Sequence, residues 1–293
     1  MPSALAVDIG GSKMAVGLVE RSGRVQTQRQ TPTRRTDDAD LLFADVAELT
    51  RSVLGDAVDG DAGDAAPEVC GVGCGGPMRG GGERVSPLNI GAWRDFPLRA
   101  RLAHVTGLAT FVDNDAKALA LAEGWVGAAA GDRNYLAMVV STGVGGGLVV
   151  DGRLLDGADG NAGHIGHVVV EPDGRRCGCG ARGCLEAEAS GTAIAARTGR
   201  PAAEAGPEVI ARTGRLVGRA VASVANLCDV RLACVAGSVA LGFGAPFFAA
   251  AQAELDATAR LDFSRGARIV PGGLGADGPL VGAAAVGWRG LGH

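Results

Sequence analysis

Two of the four histidines and three of the seven cysteines in this chain of 293 residues gather between residues 161 and 191. His167, Cys177, Cys179 and Cys184 are spaced H-x9-C-x-C-x4-C. Three thiolates and one imidazole make a closed tetrahedral Zn²⁺ site, which leaves no position for water and is therefore structural. Gly178, Gly180 and Gly183 allow the chain to fold around such a centre. Disulfides are the competing reading, and three clustered cysteines in a chain that opens "MPSALAVDIGGSK", without the pattern of a secretory leader, argue against them. Cys70, Cys74, Cys228 and Cys234 stand in or beside apolar runs and read as core. His164 is outside the ligand set and, among polar neighbours three residues before a ligand, reads as a pocket wall. Glu186 follows Cys184 and Leu185 directly, so the metal would pin it and could aim it inward. Glu188 poses the same choice between pocket and solvent.

Two glycine-rich turns carry a second kind of chemistry. "DIGGSK" offers Asp8, a carboxylate suited to Mg²⁺, and Gly10, Gly11, Ser12 and Lys13, whose amides, hydroxyl and ammonium suit phosphate oxygens. "STGVGGG" sets Ser141 and Thr142 before a run of amides expected to be free, from Gly143 through Val144 and Gly145 to Gly146. Glycine at such tips is expected to supply positive φ and close approach. One turn of this kind is often only a hairpin; a pair, one per lobe, points to a nucleotide gripped from both sides. "GVGCGG" at 71–76 matches G-x-G-x-x-G but continues into "PMRGGGERV", a loop where a dinucleotide fold needs a helix. No G-x-x-x-x-G-K-[ST] occurs, so a Walker-type loop is excluded.

These residues need elements to hold them. "ALAVDIG", "MAVGLVE" and "VQTQRQT" read as an antiparallel meander. A helix capped by Asp37 or Asp38 follows, with Leu42, Val46, Leu49 and Val53 on one face, and then an acidic surface loop at 55–66. "VCGVG" and "TFV" read as strands, and Asn114 or Asp115 starts a helix. "YLAMVVSTGVGGGLVVDGRL" repeats the opening grammar of strand, glycine turn and strand. Thereafter come a helix at 208–227, a strand at 232–236, a helix after Pro246, the strand "RIV" and a final helix in "PLVGAAAVGWRG". The uncharged stretch from Leu232 to Ala253 has the length of a membrane span but is broken by Gly237, Ser238, Gly242, Gly244 and Pro246, so strand, turn and helix fit it better. A net charge of −4 provides no global field for nucleic acid or an anionic membrane. The chain reads as cytoplasmic, with a small-molecule partner.

The combination of "DIGGSK", "NDA", "STGVGGG", "AGHIGH" and "CGCGARGCLEAEASG", in this order, resembles the ROK family of sugar kinases and repressors over essentially the whole chain. The resemblance implies an α/β, actin-like (duplicated ribonuclease H-like) ATPase fold of two lobes with a central cleft for ATP and sugar, usually as a homodimer. The lobes would be residues 1–112, with a last helix at about 279–291 packing back on them, and 113–278, which carries the zinc segment. It further implies that Asp8, Gly10, Gly11, Ser12 and Lys13 form one phosphate loop and Thr142, Gly143, Val144, Gly145 and Gly146 the other, with Gly237 and Ser238 at the adenosine. Gly76, Asn89, Asn114, Asp115, His164, His167 and Glu186 would bind the sugar. Asp115 would be the base that takes the proton of the attacking hydroxyl, although a helix-starting position favours its ionised form and lowers its basicity. His167 would bind zinc through one ring nitrogen and face the sugar with the other. "AGHIGH", where many family kinases have glutamate at the place of His164, looks like the N-acetylmannosamine kinases of the family. The sugar would thus be glucose or an N-acylhexosamine, phosphorylated at its 6-hydroxyl with ATP and Mg²⁺. Family repressors carry a winged helix ahead of the body, whereas the first strand here is expected near Ala4 with no basic module before it. Some relatives use polyphosphate; the turn "AGSV" favours ATP.

Overall fold

The computed structural model describes residues 1–59 and 66–292. The chain forms two compact units, one made of the described residues of Met1–Val126, Asp156–Ala162 and Ala276–His293, the other of Gly127–Leu155 and Gly163–Gly275.

In the first unit β1 (Ser3–Ile9), β2 (Lys13–Glu20) and β3 (Val25–Pro32) form the expected meander, and the polar β3 lies at the sheet edge. Helix α1 (Ala39–Asp59) is capped by Asp38, whose Oδ1 accepts the amides of Asp40 and Leu41, and it buries Leu42, Val46 and Val53. The surface loop expected at 55–66 is corrected at its start, because residues 55–59 continue α1; residues 60–65 lie outside the described residues. Next come β4 (Val69–Cys74), the small hairpin β5 (Met78–Arg79) and β6 (Arg84–Val85), helix α2 (Leu98–Thr106), β7 (Thr110–Asn114) and α3 (Asp115–Val126). The five-stranded sheet runs β3-β2-β1-β4-β7, with the last three strands parallel.

The second unit repeats that order. β8 (Tyr135–Val140), β9 (Val144–Val150) and β10 (Arg153–Leu154) form the meander. After the loop that carries the cysteines come α4 (Leu185–Ala189), α5 (Gly191–Thr198), α6 (Pro207–Cys228), β11 (Leu232–Ala236), α7 (Ser238–Thr258) and β12 (Arg268–Pro271). The sheet order is β10-β9-β8-β11-β12. Helix α7 starts at Ser238, earlier than the expected start after Pro246; Gly244 (φ 61°, ψ −148°) breaks it so that the proline opens a fresh helical segment. No described helix is long and apolar enough to cross a membrane.

Both units use glycine where backbones must nearly touch. Helix α8 (Gly278–Gly290) returns to the first unit and lies on β1, β4, β7 and α3. A Cβ on Gly71 of β4 would sit 1.9 Å from the carbonyl oxygen of Ala283, so only glycine admits α8 at that depth. In the second unit a Cβ on Gly218 would sit 2.2 Å from the carbonyl of Ala251, which brings α6 and α7 into the same kind of approach.

Candidate active site

In the first unit the candidate acidic residues lie at the C-terminal ends of β1 and β7, on either side of β4, where parallel strands leave their last residues side by side. Asp8 is 8% exposed and lies opposite Gly73 across β1 and β4. A Cβ on Gly73 would be 3.6 Å from Asp8 Oδ1 and 3.7 Å from the Cα of Asp115, so the two acidic residues flank a position without a side chain. Burial pushes the Asp8 carboxyl up to about 7; the charge of Asp115 pushes the same way and Lys13 opposes it. Asn114 caps α3, its Oδ1 accepting the amides of Ala116 (3.0 Å) and Lys117 (3.4 Å), while Asp115 Oδ1 also receives the Ala116 amide (2.8 Å). Asp115 therefore stands at the helix N-terminus, where the backbone dipole favours its charge.

The first glycine turn is closed by a hydrogen bond from Gly10 N–H to Lys13 O (3.0 Å), with Thr33 Oγ1 donating to Gly10 O (2.6 Å). Ser12 and Lys13 are exposed. The amide side chain of Asn89 is wedged between this turn and Gly75: a Cβ on Gly11 would be 2.9 Å from Asn89 Nδ2, and one on Gly75 3.1 Å from its Oδ1. Gly76 adjoins, its carbonyl accepting the Leu88 amide.

In the second unit the tip of β8 and β9 meets three other pieces. Ser141 Oγ lies 2.9 Å from Ser238 Oγ, beside Gly237, whose φ of 98° and 2.4 Å approach to Val140 O require glycine. Thr192 Oγ1 donates to Thr142 O (2.9 Å), and Val144 N–H donates to Glu186 Oε2 (3.0 Å). Two expectations about these turns are thereby corrected. Gly10, Gly11, Gly143, Gly145 and Gly146 do not have positive φ. Their value is steric: a Cβ on Gly143 would meet Glu186 Oε2 at 2.9 Å, and one on Gly146 would meet the side chain of Ile165 at 2.8 Å. Nor is the run a row of free amides, since Val144 N–H is taken by Glu186 and Gly145 and Gly146 lie in the β8–β9 ladder. Glycine-rich sequence could not distinguish the two uses, because both need the missing side chain.

The donor atoms of His167, Cys177, Cys179 and Cys184 all lie within 4.8 Å of one another. Cys179 Sγ to Cys184 Sγ and Cys177 Sγ to His167 Nδ1 are both 3.7 Å. Four ligands placed tetrahedrally at about 2.3 Å from a zinc ion are separated by about 3.8 Å, whereas a disulfide would bring sulfurs to about 2.05 Å. The four residues therefore fit Zn²⁺. His167 turns Nδ1 toward the sulfurs; its ring is nearly parallel to that of His164 (19°, centroids 6.2 Å apart). Cys70, Cys74 and Cys234 are buried in strands and Cys228 is half-buried at the end of α6.

A charged cluster escaped the sequence reading. Lys117, 1% exposed, donates to Asp113 Oδ1 (3.0 Å), Asp156 Oδ1 (2.9 Å) and Gly160 O (3.0 Å), and Arg289 of α8 reaches Asp113 (3.2 Å) and Asp156 (2.6 Å). Asn161 adds a reciprocal pair with the backbone of Met78, both bonds 3.1 Å. These contacts fasten residues 156–162 to the rest of the first unit through β7, α3 and Met78. The available signal was the single lysine in "NDAKALALAEG", set among the alanines and leucines of a helix whose residues 116–120 are all buried.

The ROK family model matches residues 4–288. Glucokinase of Thermotoga maritima is 41% identical over 192 residues, 65% of this chain and 58% of the relative. N-acetylmannosamine kinase of Citrobacter koseri is 41% identical over 194 residues, 66% of this chain and 63% of the relative. The chain thus matches less than two thirds of either relative's length. A crystal structure of a ROK family glucokinase from Streptomyces griseus, in complex with glucose and AMPPNP, superposes with a TM-score of 0.82 at 27% identity, covering 98% of this chain and 99% of that one. The duplicated sheet order and this likeness give the chain the actin-like ATPase fold.

Proposed function

This chain belongs to the ROK family, and we propose that it is an ATP-dependent hexose kinase that phosphorylates the 6-hydroxyl of glucose or an N-acylhexosamine such as N-acetylmannosamine. The observation that carries the reading is the pair of acidic residues, Asp8 at the end of β1 and Asp115 directly after β7, set on either side of Gly73 on the intervening strand β4. Phosphoryl transfer asks chiefly for positioning and charge neutralisation. Asp115 accepts the proton of the attacking hydroxyl. Asn114 holds the start of α3 and, with Gly76, Asn89, His164, His167 and Glu186, binds the sugar; Glu186 keeps Oε1 for a sugar hydroxyl while Oε2 holds the Val144 amide.

Gly10, Gly11, Ser12 and Lys13 bind phosphate, as do Thr142, Gly143, Val144, Gly145 and Gly146 at the second turn, where Thr142 and Gly143 present the groups not engaged in the ladder. Gly237 and Ser238 bind the adenosine end. Asp8 is a buried acid beside a second acid, the setting that a divalent cation relieves, and it would hold Mg²⁺ or its waters. Bound Mg²⁺ neutralises charge on the phosphates. His167, Cys177, Cys179 and Cys184 hold a structural Zn²⁺ that fixes His167 and, through Cys184, Glu186. An imidazole at 164 both donates and accepts where a carboxylate only accepts, so His164 bears on which hydroxyl or N-acyl group is taken. The reading includes a cytoplasmic homodimer.

Incubation with MgATP and a hexose panel tests it. Sugar-dependent ADP release with glucose or N-acetylmannosamine is expected, and faster than with polyphosphate as donor. No release with any hexose sinks the proposal.

A further inference from the structure

Glu188, two residues past Glu186 on α4, has a side chain 1% exposed and is not a metal ligand. Its Oε2 receives Arg197 Nη2 and Arg212 Nη2, each at 2.7 Å, while Arg212 Nη1 also donates to the main-chain carbonyl of Glu188 (3.2 Å). Its Oε1 accepts the backbone amide of Arg175 (2.5 Å), two residues before Cys177. The carbonyl of Arg175 in turn accepts the amide of Gly183 (2.9 Å), the residue before Cys184, and the carbonyl of Gly183 accepts Val170 N–H (2.9 Å). One carboxylate thus grips the metal loop where its two arms cross. A Cβ on Gly174 would come within 2.5 Å of Glu188 Oε1, and one on Gly183 within 1.6 Å of the carbonyl of Glu171, so the crossing is built for this approach.

We propose that Glu188, charged and held by Arg197 and Arg212, is a positioning residue that braces the His167, Cys177, Cys179 and Cys184 loop against α4 and so sets the orientation of Glu186 and His167 toward the sugar. This deepens, and rests on, the reading of the site as a zinc-braced sugar kinase. A buried carboxylate that accepts three hydrogen bonds, two of them from guanidiniums, is rigid, because each bond lost would leave a charge unpaired. The metal holds the loop by its tip, and Glu188 holds it by its base. Weakening the base should loosen the metal and the sugar while leaving the nucleotide side alone.

The test compares the zinc-loaded wild-type protein with Glu188→Gln, Arg197→Met and Arg197→Lys, with Glu171→Gln as a neighbouring control. Zinc release to a chromogenic chelator is followed alongside steady-state kinetics and melting temperature. Glu188→Gln is expected to speed zinc release at least about 10-fold and raise the sugar KM about 10-fold, with kcat and the KM for MgATP within about 2-fold. Arg197→Met should give a smaller change of the same kind, Arg197→Lys should recover most of it, and Glu171→Gln should behave as wild type. If Glu188→Gln does not fold, the order wild type, Arg197→Lys, Arg197→Met in release rate decides. Equal release rates across the folded variants, or a parallel loss of sugar and nucleotide binding that tracks the melting temperature, overturn the proposal. So does a wild-type protein that takes up no zinc. Absence of sugar-dependent ADP release in a protein whose zinc release still follows the expected order would instead overturn the kinase reading and leave the brace standing.

Discussion

The two units share a strand order and a glycine-tipped hairpin, yet they hold their functional groups by different means. In the first, Asp8 at the end of β1 and Asp115 at the start of α3 share their unit with an ion cluster centred on the buried Lys117 and completed by Asp113, Asp156 and Arg289. In the second, the hairpin carries no charge of its own, and Glu186 and His167 are fixed by a cysteine and histidine cluster and by the arginine-bound Glu188. In the proposed kinase the first unit would be the reacting side, where carboxylates of tunable ionisation are needed, and the end of β1 buries Asp8 while the start of α3 holds Asp115. The second unit would be the recognising side, where a bound metal would hold the glycine-rich loop of residues 174–183 in one shape.

That contrast can be broken in four places. The largest effect is expected from Asp115→Asn, which keeps the Asn114 cap but removes the proposed base: kcat should fall by about 10²–10⁴-fold with the fold intact, read by coupled ADP release and circular dichroism. Next is Lys117→Met, which leaves Asp113 and Asp156 short of a buried cation and should cost about 3–5 kcal/mol in urea unfolding. Replacing Asp8 sharpens the comparison through pH. Its carboxyl titrates near 7 in the folded protein against an ordinary value of 3.8, so folding favours the protonated form. The associated stability is fully present below pH 3.8 and is lost as pH rises through 7. Without added divalent cation, Asp8→Asn should therefore match wild type in acid and exceed it at pH 8 by up to about 4 kcal/mol, while losing phosphoryl transfer. An advantage that does not grow with pH would show that Asp8 is ionised throughout. The smallest effect is expected in the second unit from Gly143→Ala, whose new methyl meets Glu186 Oε2 at 2.9 Å: a sugar KM raised several-fold with a stability loss of about 1 kcal/mol or less, by steady-state kinetics and thermal melting.

Much of this was legible in the sequence where period and spacing are local. The meander of the first three strands, the strand Leu232–Ala236 and the spacing of the metal set follow from alternation, apolar runs and ligand types. Helix α2 was missed because only Leu98 and Leu102 are buried among arginines and a histidine, although Pro97 before it and Gly107 after it, at φ 69°, mark both ends. Lys117 was missed for the opposite reason. A charge on a helix reads as solvated, and only the strand Asp113 at one end and Asp156, 39 residues later, turn it into a buried anchor. Glu188 likewise depends on Arg212, 24 residues away, which no local pattern connects to it.

The returning helix α8 has a consequence for biosynthesis. It supplies the cover for one face of β1, β4 and β7, which end by Asn114, yet it begins only at Gly278. At about 5–20 residues per second a ribosome leaves that sheet uncovered for roughly 10–30 seconds. Nascent chains stalled between residues 130 and 270 should accordingly be bound by chaperones at the N-terminal sheet, and release should coincide with emergence of the final helix from the exit tunnel.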